Sequence, residues 1–157
     1  MTKRRVLLVD LDPQGNATMG CGVDKRLLER STTDVLMGDC NAADAILTIE
    51  AAGFDLLPSN QDLTAAEVRL LTMLAGREHR LEKALEPIRD RYDLILIDCP
   101  PALNILTVNA LTAAEATATA ALSFPGRAAP ISKPSSPRVC LPFGILQGID
   151  DGVRVTA

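Results

Sequence analysis

Residues Val6 to Thr18 read VLLVDLDPQGNAT. Four apolar residues run without interruption and then give way to Asp10, Asp12, Pro13 and Gly15. An unbroken apolar run bounded by loop-forming residues fits a strand buried on both faces, the habit of parallel sheets. Two later stretches repeat the pattern: FDLLPSN from Phe54 and YDLILIDCPP from Tyr92. Each ends abruptly in Asp, Pro or Ser, as strands do where they feed a loop.

Helical spacing fills the intervals. Thr33 to Met37 and Ala43 to Ile49 read as short helices. Leu63 to Leu74 is longer, with Val68, Leu71 and Leu74 on one stripe and Gly76 as its stop. Arg77 to Arg89 carries Leu81, Leu85 and Ile88 at helical spacing, with Pro87 placed to kink or end it. Strands alternating with helices predict an α/β fold, a mostly parallel sheet with flanking helices.

Composition agrees. Of 157 residues, 47% are hydrophobic but only 3% aromatic, and Trp is absent, so Leu, Ile, Val and Ala must build the core. That suits helices layered on a sheet better than a β-sandwich. The formal charge of -4 gives no whole-chain reason to expect nucleic-acid binding, although a local basic patch stays open. Cys21, Cys40, Cys99 and Cys140 form no short pair of the kind zinc sites use, and they read as free thiols. The apolar stretch after Arg5 is too short for a signal peptide, and no run approaches a membrane span. The expectation is a cytoplasmic protein.

Past Ala114 the character changes. EATATAALSFPGRAAPISKPSSPR is rich in Ala, Ser and Pro and shows no amphipathic period. The expected organisation is one folded domain over residues 1–114 and a divergent, poorly ordered tail over 115–157.

Ligands of open α/β sheets sit at the carboxyl ends of the strands. Asp10 and Asp12 follow the first predicted strand, and Asp98 ends the third. If these strands are parallel neighbours, the carboxylates gather at one edge. Like charges held together need a cation to offset them, and magnesium carrying phosphate oxygens is the natural occupant. Asp98 suits the magnesium side and Asp12 the orientation of an attacking water. Pro13 and Gly15 are placed to shape a turn, and Asn16 or Thr18 to cap a following helix.

These segments resemble a known family. VLLVDLDPQGNAT is similar to the signature of the ParA and Soj partition ATPases, deviant-Walker proteins that include MinD. FDLLPSNQDLTAAEVRL and YDLILIDCPPALNILTVNALTAA are similar to the segments that follow, so the resemblance runs from about Arg5 to Ala114. It implies a P-loop NTPase-like fold that binds ATP and magnesium. Asp12 would orient water and Asp98 would hold magnesium through water. Asp10, Gln14 and Gly15 would lie near the phosphates. It also implies an ATP-dependent homodimer, binding to DNA without sequence preference, a ParB-like stimulating partner, and a role in moving plasmids or chromosomes. No membrane is implied.

Two departures qualify that expectation. The family opens with a strand and a KGGVGKT-type loop, whereas no G-x-x-x-x-G-K-[S/T] occurs in these residues. From Glu115 the sequence resembles neither the adenine-contacting nor the DNA-binding regions. The P-loop fold is therefore expected to be incomplete and the chain inactive alone. Two alternatives stay open. One is a phospho-acceptor receiver domain, against which stand Leu11 between the acids and the long gap from Asp12 to Asp98. The other is a non-enzymatic fragment that associates with intact ParA partners.

Overall fold

The computed structural model describes residues 4–118 and 138–140. The strands are β1 (Val6–Asp10), β2 (Leu47–Ile49), β3 (Phe54–Leu57), β4 (Leu94–Asp98) and β5 (Arg138–Cys140). They form one sheet in the order β2-β3-β1-β4-β5. β3, β1, β4 and β5 pair in parallel, and β2 adds an antiparallel edge. The three apolar runs of the sequence are thus consecutive in space. β1, the run with the least polar interior, sits between the other two.

The helices are α1 (Asn16–Gly20), α2 (Thr32–Met37), α3 (Ala42–Ala45), α4 (Leu63–Thr72), α5 (Arg80–Leu85) and α6 (Ile105–Ala118). Leu7, Val9, Leu57, Ile95 and Ile97 belong to one buried cluster with Leu36, Leu70, Leu81, Leu85 and Leu106. Alternation along a strand sends the remaining residues to the other face. There Val6, Leu8, Leu94 and Leu96 are only half-buried, although Leu56 is fully covered.

The local chemistry explains several boundaries. Ser31 caps α2 in a reciprocal capping box: its side chain accepts from the Thr33 amide, and Asp34 accepts from the Ser31 amide. Pro87 stands at the start of a 3₁₀ segment, Glu86–Arg91, where its missing N–H costs nothing. The predicted helix from Arg77 is therefore a composite: a 3₁₀ turn (Arg77–His79), α5, and the Glu86–Arg91 segment. Its Leu81, Leu85 and Ile88 stripe is buried as expected.

Other expectations are corrected. Ala43 to Ile49 is not one helix: α3 ends at Ala45, and Leu47–Ile49 pair with β3. The β-branched residues Thr48 and Ile49 suit that edge. The Val68, Leu71 and Leu74 stripe of α4 faces outward, at 61%, 54% and 104% exposure. The buried stripe is Leu63, Ala66 and Leu70, the other of two apolar stripes on this helix. The helix stops at Thr72, before Gly76.

α6 continues to Ala118, past the expected boundary at 114, and β5 lies within the stretch expected to be a tail. Residues 119–137 and 141–157 lie outside the described residues, so the expectation of a poorly ordered tail falls there. Among the described residues no helix is long and apolar enough to cross a membrane.

Candidate functional site

The β1–β4 register pairs Asp10 with Asp98 at the carboxyl ends of two parallel strands. Leu11 continues the contact by donating its amide to the Asp98 carbonyl at 2.7 Å. The acids therefore share one sheet edge, as their strand-end positions predict. Their environments differ sharply.

Asp10 is fully buried. Its Oδ2 accepts from the Thr18 amide at 2.7 Å and from the Thr18 hydroxyl at 2.6 Å, and its Oδ1 accepts from the Asp12 amide at 3.1 Å. Burial pushes its pKa up, the Thr18 and Asp12 hydrogen bonds pull it down, and the Asp12 charge pushes up again. Since Thr18 is the third residue of α1, Asp10 takes the part of an N-cap from eight residues away. Neither Asn16 nor Thr18 caps α1; the N-cap position is Gly15, with no side-chain bond. Both Asp10 oxygens being taken, it is a scaffold for the loop.

Asp12 is half-buried. Its Oδ1 accepts from the Gln14 amide at 2.9 Å, a local turn bond, and its carbonyl accepts from the Gly15 amide at 2.9 Å. Its Oδ2 takes no hydrogen bond from the described residues. Gln14 is exposed, and its carbonyl accepts from Lys25 Nζ. Gly15 is buried with φ +62°, and a Cβ there would stand 3.1 Å from both the Ser59 carbonyl and Lys25 Cδ. Only glycine meets both demands cheaply.

Asp98 is half-buried, and its carboxylate has neither a hydrogen bond nor an ion pair among the described residues. Burial raises its pKa most, followed by the charges of Asp10 and then Asp12. The next residue, Cys99, is buried, and its thiol is pushed up to about 11 by burial and by Asp98 and Asp12. A thiol so suppressed is not a nucleophile.

Sequence reasoning passed over the residues that hold this loop. Ser59 donates its hydroxyl to the Asp12 carbonyl at 2.7 Å, and its amide donates to Thr18 Oγ1 at 2.9 Å. The Thr32 hydroxyl lies 2.9 Å from the carbonyls of both Asp10 and Pro58. The signal was present in the PSN that ends FDLLPSN, where a buried polar residue follows an apolar strand. Lys25 left no such signal. His79, the one histidine, is a surface residue bonded to Glu82 at 2.7 Å.

The donor set bears on magnesium. Among the described residues no three acidic, His or Cys side chains form a cage for a metal. Magnesium does not need one. It keeps several waters and takes one or two carboxylates plus phosphate oxygens. Asp98, unpartnered and edge-facing, and Asp12, with one oxygen open, fit that demand; Asp10 does not.

Comparison with known proteins gives a consistent set. The protein family described as AAA domain matches residues 1–120. An uncharacterized protein of Pseudomonas putida is 64% identical over 114 residues, which is 73% of this chain and 43% of that protein. The sporulation initiation inhibitor protein Soj of Bacillus subtilis is 46% identical, over 71% of this chain and 44% of Soj. The chromosome partitioning protein ParA of Caulobacter vibrioides is 47% identical, over 71% and 42%. Among solved structures, a Mycobacterium smegmatis protein named cobyrinic acid a,c-diamide synthase, with bound ATP analog and magnesium, superposes with a TM-score of 0.67 at 48% identity. That match covers 70% of this chain and 44% of that one. Apo McdA of Cyanothece gives a TM-score of 0.65 at 26% identity, over 71% and 44%. The chain spans less than half the length of the relatives it matches.

Proposed function

The chain belongs to the AAA-domain family of ParA-type partitioning ATPases, and from that premise we propose that Asp98 and Asp12 are the acidic half of a magnesium–ATP site. In the whole protein, hydrolysis at this site drives the segregation of plasmid or chromosomal DNA. One observation carries the assignment. A half-buried carboxylate, Asp98, stands without a partner among the described residues, beside two other acids at the carboxyl edge of a parallel sheet, where such folds place ligands.

Each side chain has a separable task. Asp98 holds the metal side through water, as its lack of a protein donor allows. Magnesium, when bound, supplies the positive charge that ATP phosphates and the acids both require. Asp12 orients the attacking water with its open oxygen, while the Gln14 amide holds its other carboxylate oxygen and Ser59 holds its backbone carbonyl. Asp10, whose carboxylate accepts three hydrogen bonds, secures the turn between β1 and α1. Gly15 lets the Ser59 backbone come close. The homodimer, non-specific DNA and a ParB-like stimulator are the partners of the whole protein in this reading, and the cytoplasm its compartment.

Among the described residues, no cation appears among the charges that shift Asp10 or Asp98. With no G-x-x-x-x-G-K-[S/T] match in these residues, the 157-residue chain assayed alone is expected to release phosphate from Mg–ATP no faster than buffer. Turnover that vanished in Asp12→Ala would overturn this. The site assignment itself is tested with Mn²⁺ and ATP by paramagnetic broadening of backbone amides. Broadening is expected around residues 11–15 and 98–100 and lost in Asp98→Asn. Equal broadening in the variant, or broadening centred elsewhere, refutes the assignment.

A further inference from the structure

We propose that a second cleft, between the end of α2, α3 and the Arg80–Arg91 stretch, binds a small phosphate-bearing anion. The cleft holds about 430 Å³ and shares no lining residue with the acidic edge. That volume falls within the range of small-molecule sites. Its apolar lining includes Val35, Ala42, Ala84 and Ile88.

The charge is what points to an anion. Arg80, Lys83 and Arg91 line the cleft against one acid, Asp44, in a chain whose net charge is -4. The Asp44 carboxylate is already engaged by Asn41 Nδ2 at 3.2 Å. Lys83 and Arg91 are exposed and have no ion-pair or hydrogen-bond partner among the described residues. Lys83 stands one turn from Arg80, so both cations can reach one ligand.

Arg80 is pre-positioned. Its Nε donates to the Leu36 carbonyl at 2.7 Å, at the C-terminal end of α2 where the helix dipole favours a cation. That bond fixes the guanidinium plane and leaves the two terminal nitrogens as a fork. Gly38 makes the placement possible: with φ +82° it ends α2, and a Cβ there would lie 2.9 Å from Arg80 Nη2. A held fork with two free cations beside it matches the several oxygens of a phosphate better than a single carboxylate. The confined volume favours a small molecule over an extended polymer.

The test uses the full 157-residue chain in EDTA, which removes any metal-dependent binding at the acidic edge. Inorganic pyrophosphate and, separately, glycerol 2-phosphate are titrated while the Gly38, Asn41 and Ala84 amides and the Arg80 Nε–H are followed by NMR. Saturable shifts at these groups are expected, and the tighter of the two probes shows whether the source is inorganic or organic phosphate. Arg80→Lys keeps the charge and loses the fork, and should weaken binding about tenfold or more. Lys83→Ala, on an exposed position that leaves the fold intact, should weaken it about threefold or more. Asp98→Asn should bind like the parent chain, which separates this cleft from the nucleotide site. Absence of saturable shifts in the cleft overturns the proposal. So do shifts confined to residues 12–18, or unchanged binding in both Arg80→Lys and Lys83→Ala.

Discussion

Replacing Asp98 by Asn should make the metal-free protein more stable, the reverse of what loss of a polar site residue usually does. The magnitude follows from the sheet. Asp10 and Asp98 are register partners on adjacent parallel strands. Such partners lie ~4.8 Å apart at the backbone, so their charges are about 5.5 Å apart and repel by roughly 3 kcal/mol at an effective dielectric near 20. Solvent reaches Asp98, and Asp10 is itself pushed toward the neutral acid, so roughly 1–2 kcal/mol should survive. The amide keeps the shape and removes the charge. No protein hydrogen bond is lost, because the described residues give Asp98 none.

Urea denaturation across pH is the assay, and the sign is fixed by linkage. The folded-state pKa of Asp98 is raised above the ordinary 3.8, so the native state binds the proton more tightly than the unfolded chain does. The carboxylate therefore destabilises the fold increasingly as pH rises through that raised value. The gain from Asp98→Asn should be full at neutral pH and shrink toward zero as pH falls below the ordinary value. Magnesium with ATP should stabilise the parent chain and not the variant, by mass action. A variant less stable than its parent at pH 7, or a gain that does not change with pH, would refute the reasoning that Asp98 is an unpaired charge.

Gly15→Ala should destabilise by roughly 1–2 kcal/mol in the same assay, since φ +62° strains any Cβ and the Ser59 carbonyl stands 3.1 Å from it. Thr18→Val should cost about 1–3 kcal/mol by removing the hydroxyl donor to buried Asp10 and the acceptor of the Ser59 amide, while the backbone amide bond to Asp10 stays; Thr18→Ser should cost far less. Tyr92 is the one tyrosine, and burial with its bond to Asp55 at 2.9 Å pushes its pKa up to about 12. Ultraviolet titration should show no tyrosinate near pH 10, and Asp55→Asn should bring the transition down. Ile97→Ala should cost about 2–5 kcal/mol, and Leu96→Ala clearly less, because Ile97 is 1% exposed and Leu96 is half-buried. Equal losses would mean that both sheet faces are equally covered.

The three central strands were legible because parallel, doubly buried strands are written as apolar runs, and runs survive without periodicity. The acidic edge was legible for the same reason, since a strand that ends in Asp places that Asp at the edge by its length alone. What was not legible depended on choices between similar patterns. α4 offers two apolar stripes, Val68–Leu71–Leu74 and Leu63–Ala66–Leu70, and hydrophobicity favours the wrong one. The buried one is Leu63–Ala66–Leu70. The β2 edge was hidden because a three-residue strand has too few positions to show alternation, and it follows α3 after a single residue.

Strand-end position already separated Asp98, for the metal side, from Asp12, for the water, whereas the hydrogen-bonding part of Asp10 was beyond the sequence, and it is the most informative outcome. The backbone separates Asp10 from Asp12. Asp10 is the last residue of β1 and has the amide end of α1 folded over it, so it must be buried and must be paired. Asp12 lies two residues beyond the sheet, in the turn that Gly15 permits, half-buried and with one oxygen that takes no hydrogen bond from the described residues. A buried charge that persists needs donors on every side, whereas a charge meant for a ligand must lack them. Thr18 and Ser59 meet the first demand for Asp10 and the Asp12 loop, and nothing among the described residues meets it for Asp98. In the proposed site the residues that hold the loop and the residues left to face a ligand are thus different, and a variant of Asp10 should be read as a change in the scaffold before it is read as a change in the chemistry.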